Sequence, residues 1–194
     1  MKENKSKVYG VGSLGQGMYS SANSTKAYKI WINMLDRCYS EKTQSKHKSY
    51  VGCTVCQEWL DFQNFARFYE LTYKEAGWQL DKDILGKGLS LYSPQTCCFV
   101  PPEINKLFVQ RKLHRGNTPI GVHYEKTRNR FKASMHDGTG KTKFLGRFHT
   151  AIEAFYAYKE AKEQLIKIIA EKYRGRISDS LYNTLINYKI NISD

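Results

Sequence analysis

The stretch RFKASMHDGTGKTKFLGRFHT, residues 130–150, constrains the fold more than any other part of the chain. In RFKASMH, Phe131, Ala133 and Met135 alternate with Arg130, Lys132, Ser134 and His136. That period of two belongs to a strand with one buried and one wet face. Asp-Gly follows at 137–138, a strong hairpin signal, and KTKFLGRF supplies the returning strand. IGVHYE, just upstream and separated by the turn-forming TRN, reads as a third strand. Beyond Thr150, a good helix cap, Ala154, Tyr158, Ala161, Leu165, Ile168 and Ile169 mark an amphipathic helix over about 151–173. Three antiparallel strands packed on one long helix make an α+β module over 118–194, with SDSLYNTLINYKI adding a short C-terminal helix. The polar, turn-rich residues 110–117 read as a linker into it.

Charge says what this module meets. The chain carries 31 Lys+Arg against 18 Asp+Glu, a net +13. Between Lys106 and His149 there are eleven basic residues and two acidic ones, which is +9 of that excess. Such concentration points to a polyanion, most often nucleic acid, DNA or RNA. The wet face offers Arg130, Lys132, Ser134 and His136, and His123, Lys126, Arg128, Lys143 and Arg147 extend it. Two alternatives to a duplex-DNA surface stay open: a solvated solubilising surface, and an RNA-binding surface.

The front half differs in kind. Residues 1–23 are rich in Gly and Ser and read as a flexible arm. From Ser24, a candidate N-cap, Ala27, Trp31, Met34, Leu35 and Cys38 recur at helical steps. SEKTQSKHKS (40–49) reads as a polar loop and VGCTVC as a short strand. EWLDFQNFARFYELTY puts Trp59, Phe62, Phe65 and Phe68/Tyr69 on one helical stripe, most simply core. WQLDKDI (78–84) and TCCFV (96–100) read as strands, and Pro101-Pro102 suits the first turn of a following helix. Strand, loop, strand and helix form a ββα unit inside a module spanning 24–109. Hydrolysing a phosphodiester calls for a hard cation held by oxygen ligands. Asp81 leaving the first strand and Asn105 on the helix behind it are candidates to hold Mg2+ or another divalent ion. The competing reading is a surface strand end and a solvated asparagine.

LDKDILGKGLSLYSPQTCCFVPPEIN, residues 80–105, resembles the ββα-metal element of the HNH nucleases, in the branch found in bacteriophage genomes. Upstream, YKIWINMLDRCY and TVCQEWLDFQNF are similar to the Trp-x-x-Met-x-x-Arg-Cys-Tyr and Val-Cys-x-x-Trp-x-x-Phe segments of those proteins, so the likeness covers about 26–108. It implies an HNH-like DNA endonuclease of the homing type, with Asp81 and Asn105 holding the catalytic divalent ion. Cys97 takes the place of the Cys after the Tyr-x-Pro step. Where the family usually has its general-base His, this chain has Lys82. A protonated lysine can steady a phosphate but cannot accept a proton, so His47, Tyr50 and Tyr92 become candidate bases. The departure leaves a second reading open, a catalytically inactive DNA-binding protein or regulator on the same scaffold.

GVHYEKTRNRFKASMHDGTGKTKFLGRFHTAIEAFYAY resembles the plant Apetala/ethylene-response-factor DNA-binding domain over about 118–172. Leu145, Gly146, Phe148, Thr150, Glu153, Ala154, Ala157 and Tyr158 fall in register. The resemblance implies a sheet laid in the major groove with the helix bracing its back.

Five cysteines without disulfide-framework spacing suit a reducing compartment. Cys53-x-x-Cys56 with Cys97 and Cys38 offers four sulfurs for a structural zinc, against the competing reading of core thiols. No apolar run is long enough for a membrane span and no secretory leader opens the chain, so a cytoplasmic protein is expected, in a bacterial host if phage-encoded.

Overall fold

The computed structural model describes residues 7–22, 25–108 and 117–194. The chain divides into two compact units, Met1–Phe99 and Val100–Asp194. Both mix helix and strand, so the α+β class holds. Among the described residues, no helix is long and apolar enough to cross a membrane.

Unit 1 is organised by aromatic residues. Helix α1 (Lys26–Tyr39) buries Trp31, Met34, Leu35 and Cys38. Ser24, the expected cap, lies outside the described residues; Thr25 precedes the helix without a side-chain cap. The polar segment expected to be a loop is instead α2 (Glu41–Lys46), because the Ser40 side chain accepts from the N–H of Thr43 and starts a new turn. Strand β1 (Thr54–Val55) follows. Asp61 then caps α3 (Phe62–Thr72) by accepting from Gln63 N–H at 2.8 Å. Trp31 Nε1 donates to the Trp59 carbonyl at 2.7 Å, and Trp59, Phe62 and Phe65 are fully buried.

Residues 7–22, expected to be part of a flexible arm, are tied to this core. Ser13 N–H donates to Leu60 O and Phe62 N–H to Ser13 O. The Gln63 amide bonds the backbone of Leu14 and Tyr19. Gly12 sits so close that an added Cβ would fall 2.6 Å from Leu35 Cδ1.

The expected strand over 78–84 is shorter: β2 (Gln79–Asp81) gives way to a helical turn, α4 (Asp83–Gly86). The stretch read as a turn-rich connection contains β3 (Leu91–Tyr92), which pairs in parallel with β1. β4 (Cys98–Val100) pairs with β2. Phe68, Tyr69 and Tyr73 of the α3 end pack on Phe99.

Unit 2 opens with α5 (Pro102–Leu107), whose Glu103 accepts from Lys172 Nζ at 2.6 Å and from the Tyr173 hydroxyl at 2.9 Å. The expected linker, 110–117, lies outside the described residues except for Asn117. The expected sheet is present: β5 (Val122–Glu125), β6 (Arg130–His136) and β7 (Thr142–Phe148), antiparallel in that order. Helix α6 (Ala151–Lys172) covers one face, started by the capping box of Thr150 and Glu153. It buries Ala154, Phe155, Tyr158, Lys162, Ile166, Ile169 and Ala170, whereas Ile168, expected in the apolar stripe, is exposed. The tail forms α7 (Asp179–Ile186).

Candidate functional site

In unit 2 the pairing register decides which side chains face outward. Residues directly opposite in an antiparallel pair share a face. Val122, Ala133 and Gly146 are aligned, as are Phe131 and Phe148, all on the α6 side. On the other side His123, Lys132 and Arg147 stand in a row, and Glu125 faces Arg130. A bulge between Ala133 and Ser134 then shifts β7 by one residue, so Ser134 faces Phe144, Met135 faces Lys143 and His136 faces Thr142. The bulge has two consequences for residues expected on the basic face. Lys143 shares the Met135 side, at the sheet's end, and is not part of the outer row. Phe144, which strict alternation would bury, turns outward and is half exposed.

The outer face thus centres on an aromatic ring between cations. The Arg147 guanidinium lies 4.9 Å and Lys132 Nζ 6.0 Å from the centroid of Phe144. Phe144 is the residue sequence reasoning missed; the signal that could have found it is Gly146, an isolated glycine inside KTKFLGRF with φ +144° beside the bulge. Arg147 also makes a two-pronged contact with Glu125, at 2.6 and 3.3 Å. This pairing holds the Glu125 carboxyl below its ordinary range. Arg128 lies 3.9 Å from the same carboxylate, and both Arg128 and Lys126 sit on the short 3-10 turn after β5. An exposed pair of this sort contributes little to stability, so its arginine can be redirected to a phosphate at small cost.

In unit 1 the acidic candidate has a structural task. Asp81 is 7% exposed, and its Oδ1 accepts from the backbone N–H of both Asp83 and Ile84 at 2.9 Å. It thereby caps the α4 turn and leaves Oδ2 as the oxygen a cation could use. Burial raises its carboxyl above the ordinary value, against the two N–H groups that favour the anion. Lys82 is equally buried. Burial alone would push its ammonium down, but Asp83 Oδ1 at 2.5 Å outweighs it and holds the proton on. Lys82 Nζ also stands 5.9 Å from the centre of the Tyr92 ring.

Burial pushes the Tyr92 phenol well up, and Arg37 hydrogen-bonds to it. The Arg37 guanidinium lies 5.4 Å over the Tyr50 ring. Two cations, Arg37 and Lys82, thus meet one neutral tyrosine, and Arg37 is a second residue the sequence reading passed over. His47 is exposed and 6.1 Å from Tyr50, ring to ring. Asn105 is half-buried on α5 and belongs to unit 2, whereas Asp81 belongs to unit 1.

The five cysteines carry free thiols. Burial pushes Cys38 and Cys97 up to about 12, and Cys98 and Cys56 are also raised. Cys53 Sγ points to Ser49 O at 3.8 Å. Among the described residues, no three His, Cys, Asp or Glu side chains converge as a metal-holding group. The chain matches no family model, no curated protein and no solved structure.

Proposed function

We propose that the chain is a DNA endonuclease of the phage HNH type, in which the sheet of unit 2 holds duplex DNA and the stretch from β2 to α5, with Asp81 in unit 1 and Asn105 in unit 2, carries the cutting chemistry. The observation that supports this is the outer sheet face. His123, Arg130, Lys132, Ser134, His136 and Arg147 share one face with an exposed Phe144, and α6 packs on the opposite face. The major groove admits a two-stranded β-ribbon, and the β6–β7 pair would bring cations to phosphates and the Phe144 edge to base-pair edges there.

The HNH resemblance assigns a divalent ion to Asp81 and Asn105, and a hard cation suits the Asp81 oxygen not engaged in the α4 turn. When bound, the ion would polarise the scissile phosphate. Lys82 keeps its proton and so acts as a fixed positive charge beside the developing negative charge. Tyr92, held neutral by burial, is a poor base, which leaves His47 as the exposed candidate. The Lys82–Asp83 pair favours a second reading: duplex binding without cleavage, since the position usually held by the base cannot take a proton.

Plasmid cleavage with Mg2+ tests both. Asp81→Asn is the sharper variant because it keeps an oxygen for the α4 turn, whereas Asp81→Ala also removes the cap. Cleavage by wild type and not by Asp81→Asn supports the nuclease; equal cleavage by both rejects the site. No cleavage with Mg2+, Mn2+ or Zn2+ alongside intact duplex binding selects the silent reading.

A further inference from the structure

Unit 2 contains a cavity of about 610 Å3, a size typical of small-molecule sites. Val122, Met135, Ile166, Tyr188 and Ile190 supply an apolar wall. Into it projects Lys162 of α6, 5% exposed and on the face of the helix that should be hydrophobic. Among the described residues its Nζ reaches one partner, the His136 carbonyl, at a long 3.4 Å. Among the described residues no carboxylate lies within ion-pair distance of it, although seven other ion pairs form among those residues.

A buried ammonium with one weak neutral acceptor is costly, and such a group is ordinarily paired. The cavity supplies room for the missing anion. Lys162 is the buried ammonium of the lining, whereas Lys106 is exposed, so one negative charge is missing, and Asp194 in the same lining disfavours a dianion such as phosphate. The apolar wall asks for a hydrocarbon body attached to that charge.

We propose that this cavity binds a small amphiphilic monocarboxylate, its carboxylate paired with Lys162 and its apolar body against Val122, Met135 and Ile166. Lys162 itself has no part in the metal and DNA roles assigned above, although His123, Ser134 and His136 of the sheet also line the cavity. Burial brings the Lys162 amine down to about 8, so a fraction is neutral at mildly alkaline pH in the free protein. The other titratable groups lining the cavity are Lys106, His123, His136, Tyr158, Tyr188 and Asp194.

The test uses the full chain, octanoate as probe and 1-octanol as its uncharged counterpart, with binding read by calorimetry and by the methyl NMR signals of Ile166 and Met135. Wild type is expected to bind octanoate at least about tenfold more tightly than octanol, a difference near 1.4 kcal/mol. The preference should fade between about pH 7 and pH 10 as Lys162 loses its proton. Lys162→Met should bind octanol unchanged and lose the preference for octanoate; Lys162→Gln provides the same comparison with a polar side chain. One charge out of a net +13 barely alters non-specific attraction of an anion, so such binding would survive both substitutions. Equal affinity of wild type for the two probes, no binding of either, or full octanoate affinity in Lys162→Met would each overturn the proposal. Duplex-DNA binding by the same variants is expected to stay intact.

Discussion

Replacing Lys162 by methionine should stabilise the protein. Methionine has nearly the same length and reaches the same apolar wall, but brings no charge. The cost it removes can be sized from the amine's descent from 10.5 to about 8, caused by burial. At about 1.4 kcal/mol per pH unit, this corresponds to about 3 kcal/mol against the protonated form in the folded state. The sign follows from proton binding. Between about pH 8 and pH 10.5 the unfolded chain holds a proton on Lys162 that the folded chain has released, so wild-type stability rises with pH across that window. Below it the penalty is present in full. Urea unfolding of wild type and Lys162→Met at pH 7 should therefore differ by about 3 kcal/mol in favour of the variant, an upper figure because water relaxes around buried charges. The gap should shrink towards pH 10.5. A variant less stable than wild type at pH 7, or a gap that ignores pH, would refute the claim that this ammonium sits uncompensated in the cavity. A group retained at such a cost is what a ligand site produces, since function and stability compete there.

Two further substitutions probe the scaffold and its outer face. Gly121 has φ +77°, and a Cβ there would fall 2.0 Å from Tyr158 Cδ2. Gly121→Ala combines left-handed strain with overpacking and should cost about 3 kcal/mol in denaturant unfolding; a loss under about 1 kcal/mol would contradict the close approach of β5 to α6. Phe144→Ala, at a half-exposed position off the core, should change stability by less than about 0.5 kcal/mol while weakening duplex binding several-fold by electrophoretic shift. Unchanged binding would show that the ring does not touch DNA.

Much of unit 2 was legible because local signals agreed with one another. The alternation of RFKASMH, the Asp-Gly turn and the Thr150/Glu153 capping box all favour the same hairpin and helix, and each forms where its chemistry requires. What could not be read is what depends on the partner strand. A single bulge in β7 exchanges the faces of Phe144 and Leu145, and its one local trace is Gly146 inside the strand, which does not say which neighbour turns outward. The burial of Lys162 did leave a trace: Tyr158, Lys162 and Ile166 recur every four residues along the face of α6 turned to the sheet. A lysine in that row reads as a solvated interruption until the cavity is seen. In unit 1 the aromatic stripe of α3 marked the core. Asp81 read as a metal ligand or a surface strand end, and only the paired N–H groups of Asp83 and Ile84 reveal its buried carboxylate as the cap of α4. The chain's Gly- and Ser-rich beginning likewise reads as an arm, yet the side chain of Gln63, far along the sequence, fastens residues 14 and 19.

Salt dependence of duplex binding tests the role of the outer sheet face most directly. Each phosphate neutralised steepens the fall of log K with log salt by about 0.9. Removing two outer-row charges with Arg130→Gln and Lys132→Gln should flatten the wild-type slope by about 2, whereas Lys143→Gln, one charge on the Met135 side, should leave it unchanged. A slope indifferent to the outer pair, or equally sensitive to Lys143, would contradict docking of DNA on that face.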